Sequence, residues 1–152
     1  MTVSVIYVDH ADAAQLDIDA LVLEEDTDLI LCAPVVLRLS DEHPVRLMTS
    51  LYETQAQLPG TIVIKPGAPL RILAIVHDLA LEVSTCAQWI AAALHSALEY
   101  CVGAGLSRVA VETLGANHGR FSSAEFCALV DAELALQPSS VDLTLYVLAP
   151  QS

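Results

Sequence analysis

Lysine occurs once in this 152-residue chain, at Lys65, and all basic residues number 6 against 19 acidic ones, a formal charge of -13. A surface of that sign repels a phosphate backbone instead of releasing its counterions, which excludes general nucleic-acid binding. Long apolar runs are missing as well. Although 55% of the chain is hydrophobic, no uncharged stretch reaches the roughly 18 residues that a membrane span requires. The opening "MTVSVIYVDH" has no basic start followed by a long apolar segment, so the sequence is read as cytoplasmic.

Cysteine pairing motifs are absent too. Cys32, Cys86, Cys101 and Cys127 include no CxxC pair, and three of the four fall on apolar helical faces, so all are read as buried free thiols. No GxSxG, HExxH or P-loop pattern is present, so hydrolase, metalloprotease and NTPase readings lack their working parts. The acidic run "EEDTD", residues 24 to 28, lacks the spacing and glycine of an EF-hand and reads as a solvated loop. No metal and no cofactor is assigned.

What is present alternates. "TVSVIYV", "DALVL", "TIVI", "RILAIV", "SRVAVET" and "VDLTLYVL" read as six strands, and continuous apolar runs such as "RILAIV" suggest strands covered on both faces. From Cys86, the residues Trp89, Ile90, Ala93, Leu94, Ala97, Leu98 and Cys101 recur at helical spacing, with Gln88, Ser96 and Glu99 on the other side. Ser122 and Glu125 have capping-box spacing before a second helix that runs until Pro138. A less regular helix is expected over residues 41 to 56, with Pro44 in its first turn and Leu47, Met48, Leu51 and Tyr52 on its apolar side. The order argues for one domain over residues 1 to 152, a three-layer α/β/α fold with a mixed, mainly parallel six-stranded sheet.

Three stretches carry a resemblance. "ADAAQLDIDALV", residues 11 to 22, is similar to a "GDITxxxVDAIV" pattern; "GTIVIKPG", residues 60 to 67, to "GxAVITPG"; and "GLSRVAVETLGANHGRF", residues 105 to 121, to "GLxxIAxPxLGTGxGGF". Together they resemble the macro domain, a fold known for binding ADP-ribose and related nucleotides. The resemblance implies that Asp12 accepts a hydrogen bond from an adenine amino group. It also implies that the loop of Gly115, Ala116, Asn117, His118, Gly119, Arg120 and Phe121 offers backbone amides to a phosphate.

One stretch departs. Residues 23 to 38, "LEEDTDLILCAPVVLR", stand where the family carries "NAANxxLxGGGGVAxAI", so Leu23 and Asp26 replace asparagines and Leu31, Cys32, Ala33 and Pro34 replace the glycine run. The diphosphate pose of ADP-ribose is therefore penalised by bulk and by negative charge.

Beyond the resemblance, His77 and Asp78 after the fourth strand and His118 in the glycine loop could bring a histidine and a carboxylate together for acid–base chemistry. The plainer reading makes His77 a strand-end residue bonded to backbone. His10, His43 and His95 are left at the surface.

Three functions compete. The first is a divergent macro-like module that binds a small phosphorylated or nucleotide-like ligand weakly. Close behind stands a non-catalytic interaction or oligomerisation protein that kept the fold and lost the pocket, as in the N-terminal domain of leucine aminopeptidases, with homo-oligomers left open. An ADP-ribosyl hydrolase is a distant third because its residues are not matched.

Overall fold

The computed structural model describes residues 3–32, 56–138 and 140–150. Strand β1 (Val3–Val8) leads through a short 3-10 helix (His10–Gln15) into β2 (Ala20–Asp26). Then come β3 (Ile62–Lys65), β4 (Leu70–His77), helix α1 (Ala87–Gly103), β5 (Arg108–Glu112), helix α2 (Ser123–Ala135) and β6 (Leu143–Leu148). The helix expected over 41 to 56 lies almost wholly outside the described residues.

The six strands form one sheet in the order β1-β6-β5-β2-β4-β3. Every neighbouring pair is parallel except β3 with β4. The mixed, mainly parallel three-layer architecture expected from the sequence is thus the observed one.

Alternation along the strands sorts side chains between two cores. Ala20 and Val22 of β2, Ile72, Ala74 and Val76 of β4, and Val109 and Val111 of β5 face α1 and α2. There they meet Ile90, Leu94 and Leu98 of α1 and Phe126 and Val130 of α2, all essentially fully buried. On the opposite face Leu23, Leu73 and Ile75 pack with Leu29 and Cys32, while Ala110, Tyr146 and Leu148 pack with Ala13 and Leu16 around the 3-10 helix. Strands covered this way are apolar on both sides, which is why "RILAIV" shows no alternation.

Both long helices begin near the positions that the sequence predicts. Cys86 is the extended residue before α1, and it is exposed, as Cys127 is half-exposed; only Cys32 and Cys101 are buried. The expectation of four buried thiols therefore fails where a cysteine caps a helix or sits on its margin. Ser122 Oγ accepts a hydrogen bond from Glu125 N at 3.0 Å and so satisfies one of the first-turn amides of α2. Among the described residues no helix is long and apolar enough to cross a membrane.

Strand β2 runs further than "DALVL". It continues through Glu24, Glu25 and Asp26 in register with β4, and a register shift falls between Glu25 and Asp26. The three acids are 1%, 0% and 0% exposed, so this run is the buried end of a central strand and not a solvated loop. The apolar strand pattern ends at Leu23, but the backbone ladder continues because β4 offers partners as far as His77.

At the other end of β2, Asp19 ties three strands together. Its carboxylate accepts from Ser107 N and Arg108 N, both at 3.0 Å, its amide donates to Arg108 O at 2.7 Å, and its carbonyl accepts from Leu70 N at 3.0 Å. The amides of Arg108 and Ser107 hold its carboxyl below the usual aspartate range. Asp19→Ala should therefore lower stability by about 1 kcal/mol, the net value of such bonds at an exposed site. Urea denaturation should show it as a lower midpoint at unchanged slope.

Candidate functional site

The carboxyl ends of β2, β4 and β5 converge on Glu24. Because successive strand residues point to opposite faces, Glu24 faces the loop after β5 while Glu25 faces the segment after β2. Glu24 Oε1 accepts from Gly115 N at 2.9 Å and Asn117 N at 3.3 Å, and Oε2 accepts from His118 N at 3.0 Å. The loop 114–121 is thus curled around an anion, and that anion is the protein's own carboxylate.

The curl depends on glycine at its start. Gly115 has φ +86°, and a side chain there would meet Ile90 Cδ1 at 2.7 Å and Phe121 Cβ at 2.8 Å. At Gly119 the obstacle is space alone: a Cβ would lie 2.7 Å from Gly115 O and 3.0 Å from His77 Cε1.

The segment after β2 is built in the same way. Glu25 accepts from Asp26 N, Leu31 N and Cys32 N at 2.8, 2.9 and 3.1 Å, and Asp26 accepts from Asp28 N, Ile30 N and Leu31 N at 3.0, 2.7 and 2.9 Å. Leu29 takes φ 60° to make this turn, a left-handed conformation uncommon for a residue with a side chain. Here too the amides face the chain's own acids. The described part of the segment, residues 23 to 32, contains no open anion loop.

Glu112 completes the group. The β2–β5 ladder ends at Val22 and Val111, and the next β2 amide, Glu24 N, donates instead to Glu112 Oε1 at 2.7 Å. Among the described residues no cluster of His, Cys, Asp and Glu is arranged to hold a metal ion.

Crowding four acids at one sheet end obliges some of them to keep a proton. Burial pushes Glu25 up to about 8, with a hydrogen bond to Asp26 adding to the effect. Burial works upward on Asp26 as well, but the bond from Glu25 and the amides of Leu31, Asp28 and Ile30 outweigh it and hold Asp26 below the usual range. Burial, with the Glu24 charge beside it, raises Glu112 to about 7. Glu25 and Asp26 thus behave as an acid–carboxylate pair, with the proton on Glu25.

His77 is fully buried at the end of β4. Its Nε2 bonds Glu24 Oε2 and its Nδ1 lies 2.9 Å from Ser84 Oγ. The sequence paired His77 with backbone, or with Asp78 and His118. The structure pairs it with Glu24, 53 residues away, because β2 and β4 are neighbours. Asp78 instead caps a turn through Ala80 N at 3.1 Å, and His118 contributes its amide to Glu24. Ser84 sits in no motif, and Glu24, inside the 23 to 38 stretch, reads from sequence only as part of an acidic loop.

Gly115 to Phe121 lie together in the loop, whereas Asp12 sits exposed on the 3-10 helix beyond β1. Two strand spacings, roughly 10 Å, separate β1 from β5. A cavity of about 350 Å³ opens along the outer half of the loop, between Val83–Thr85 and His118–Arg120, with Glu82 at its side. A second, of about 310 Å³, lies between the ends of β1, β5 and β6 and the start of α2, where Asp9, Thr113, Ser123 and Cys127 line it.

The raised Glu25 and Glu112 set a pH dependence. A carboxyl whose folded value exceeds its unfolded one keeps a proton that the unfolded chain has released. Stability therefore falls as pH rises from about 4.5 to about 8 and is level beyond. The depressed Asp26 acts oppositely, and only in the acid range near and below 3.8. The thermal midpoint should be higher near pH 5 than near pH 9 by about 5 °C or more. Glu25→Gln, which keeps the shape and can donate to Asp26, should flatten that difference in a calorimetric pH series.

No family model matches the chain, and no curated protein matches it. Solved structures do. The macrodomain of Thermus aquaticus DarG superposes with a TM-score of 0.72 at 13% identity, covering 98% of this chain and 99% of that one. The macrodomain of Mycobacterium tuberculosis DarG gives 0.72 at 17% identity, covering 97% and 98%. The Trypanosoma brucei macrodomain in complex with ADP gives 0.67 at 12% identity, covering 95% of this chain and 62% of that one. Over nearly its whole length, the chain has the macro domain fold.

Proposed function

We propose that this chain is a macro-fold module that binds a compact phosphorylated or nucleotide-like ligand weakly, in the cavity along the outer half of the 114–121 loop. The observation that carries the reading is the convergence of the Gly115, Asn117 and His118 amides on one carboxylate. A backbone nest that holds a carboxylate has the geometry to hold a phosphate oxygen. The fold neighbour solved with ADP supports the choice of ligand class.

Glu24 explains why the affinity is low. Hydrogen bonds to a charged group are worth roughly 1.5–3 kcal/mol each, so a phosphate competing for the same three amides must first displace a well-held internal anion. A ligand beside the nest leaves Glu24 in place and is still repelled by its charge. It would meet His118 and Arg120 on the loop side and Val83 and Ser84 on the other. Asp12, across β6, would touch it only if the ligand carried an adenine-like donor. ADP-ribosyl hydrolysis is not favoured, because the Asp26 carboxylate is engaged by three amides.

The same occupancy favours a second reading, in which the pocket is closed for good and the domain serves in protein interaction. Titration with inorganic phosphate and with ADP-ribose, followed by amide NMR, separates the two. The binding reading expects shifts centred on Gly119 and Arg120 at millimolar phosphate. It also expects ADP-ribose to bind more weakly than about 100 µM, some 5 kcal/mol of binding free energy. Glu24→Gln, which removes the competing charge, should strengthen phosphate binding about tenfold. No shift in either protein gives first place to the interaction reading, and submicromolar binding by the wild type would show that Glu24 is no barrier.

A further inference from the structure

We propose that Ser84, His77 and Glu24 form a nucleophilic triad that hydrolyses short-chain carboxylic esters in the 350 Å³ cavity. The inference shares that cavity with the binding reading but does not require phosphate affinity. Three observations converge. Ser84 Oγ lies 2.9 Å from His77 Nδ1, the other ring nitrogen of His77 bonds Glu24, and Ser84 lines the cavity.

The hydrogen-bond inventory sets the protonation pattern. Glu24 accepts three amide N–H bonds, an arrangement that suits a carboxylate and leaves it an acceptor toward His77. His77 Nε2 must then carry the proton, which leaves Nδ1 as the acceptor for the Ser84 hydroxyl. This is the order of roles that activates a serine: nucleophile, base, and a buried carboxylate that orients the base.

Position is fixed by the fold. Glu24 lies two residues before the end of β2 and His77 ends its parallel neighbour β4, and the loop after β4 is turned back by the Asp78 N to Ser84 O bond of 2.7 Å. Gly119 packs against the His77 ring edge, at the spot where any side chain would collide with it. Next to the nucleophile, Thr85 Oγ1 is buried and, among the described residues, has no hydrogen-bond partner. The Thr85 residue lines the same cavity, with that atom buried beneath the lining.

The chemistry balances with water as the only co-reactant. Ser84 Oγ adds to the ester carbonyl carbon while its proton passes to His77 Nδ1. The bond from that carbon to the alcohol oxygen breaks, and the departing alkoxide takes the proton from His77. Water then adds to the acyl carbon and gives His77 a proton, the bond to Ser84 breaks, and the proton returns to Ser84 as the acid leaves. The cavity, walled by Val83 and Gly119, suits a small acyl group, with Arg120 and His118 toward the alcohol side.

The intact chain should be treated with a fluorophosphonate and, separately, with p-nitrophenyl acetate. We expect one adduct, on Ser84 by peptide mass spectrometry, and ester turnover that Ser84→Ala lowers at least about 100-fold, well within the loss that removing a serine nucleophile brings, with an unchanged circular dichroism spectrum. Glu24→Gln should lower kcat at least about 10-fold with KM within about threefold, since the carboxylate acts through His77. Ser84→Cys should still take an acyl adduct. Absence of an adduct, an adduct elsewhere, or equal turnover by wild type and Ser84→Ala overturns the triad. Phosphate shifts without a Ser84 adduct would sink only this inference, and an adduct without phosphate shifts would sink only the binding reading.

Discussion

A carboxylate at the end of a buried central strand needs donors for its oxygens or a proton, and Glu24 takes donors. Three loop amides and one imidazole close on it. That demand shapes the surrounding structure: the 114–121 loop must curl inward, Gly115 must take positive φ, and His77 must present Nε2 to the interior. The same rule, applied one residue later on the opposite face, makes Glu25 and then Asp26 the organisers of the segment after β2. Two loops that could have wrapped an external anion each wrap an internal one.

The acids also limit each other. Four carboxyl groups at one sheet end cannot all ionise at neutral pH without several like charges repelling in a region of low dielectric. The structure resolves this by rank. Glu24, Glu25 and Asp26 each collect amide donors, but burial drives Glu25 and Glu112 up toward neutrality while the bond from Glu25 and its own amides hold Asp26 down. A net charge of -13 is thus less a statement about the outer surface than composition suggests, because part of the acidic content is interior and partly protonated.

Much of the architecture was legible in the chain. Apolar runs marked all six strands, 3.6-residue spacing marked α1, and a serine followed three residues later by a glutamate marked the start of α2. The end of β2 was not legible: "EEDTD" has the composition of a solvated loop, and only the neighbouring strand's ladder, as far as His77, makes it a strand. Likewise the four cysteines look alike in sequence, but Cys86 at the start of α1 and Cys127 on the margin of α2 are left partly in water.

By itself the sequence determined the layered fold and the place of the glycine loop, because both rest on local periodicity and on residues that few alternatives can replace. What fills the loop was decided only in three dimensions. Hydrogen-bond partners 53 and 91 residues apart, His77 and Gly115 with Glu24, are brought together by strand order, and strand order is set by how the two cores pack and not by any short motif. Ser84 shows the same limit: it carries no sequence signature, and its meeting with His77 depends on a turn that folds back over the end of β4.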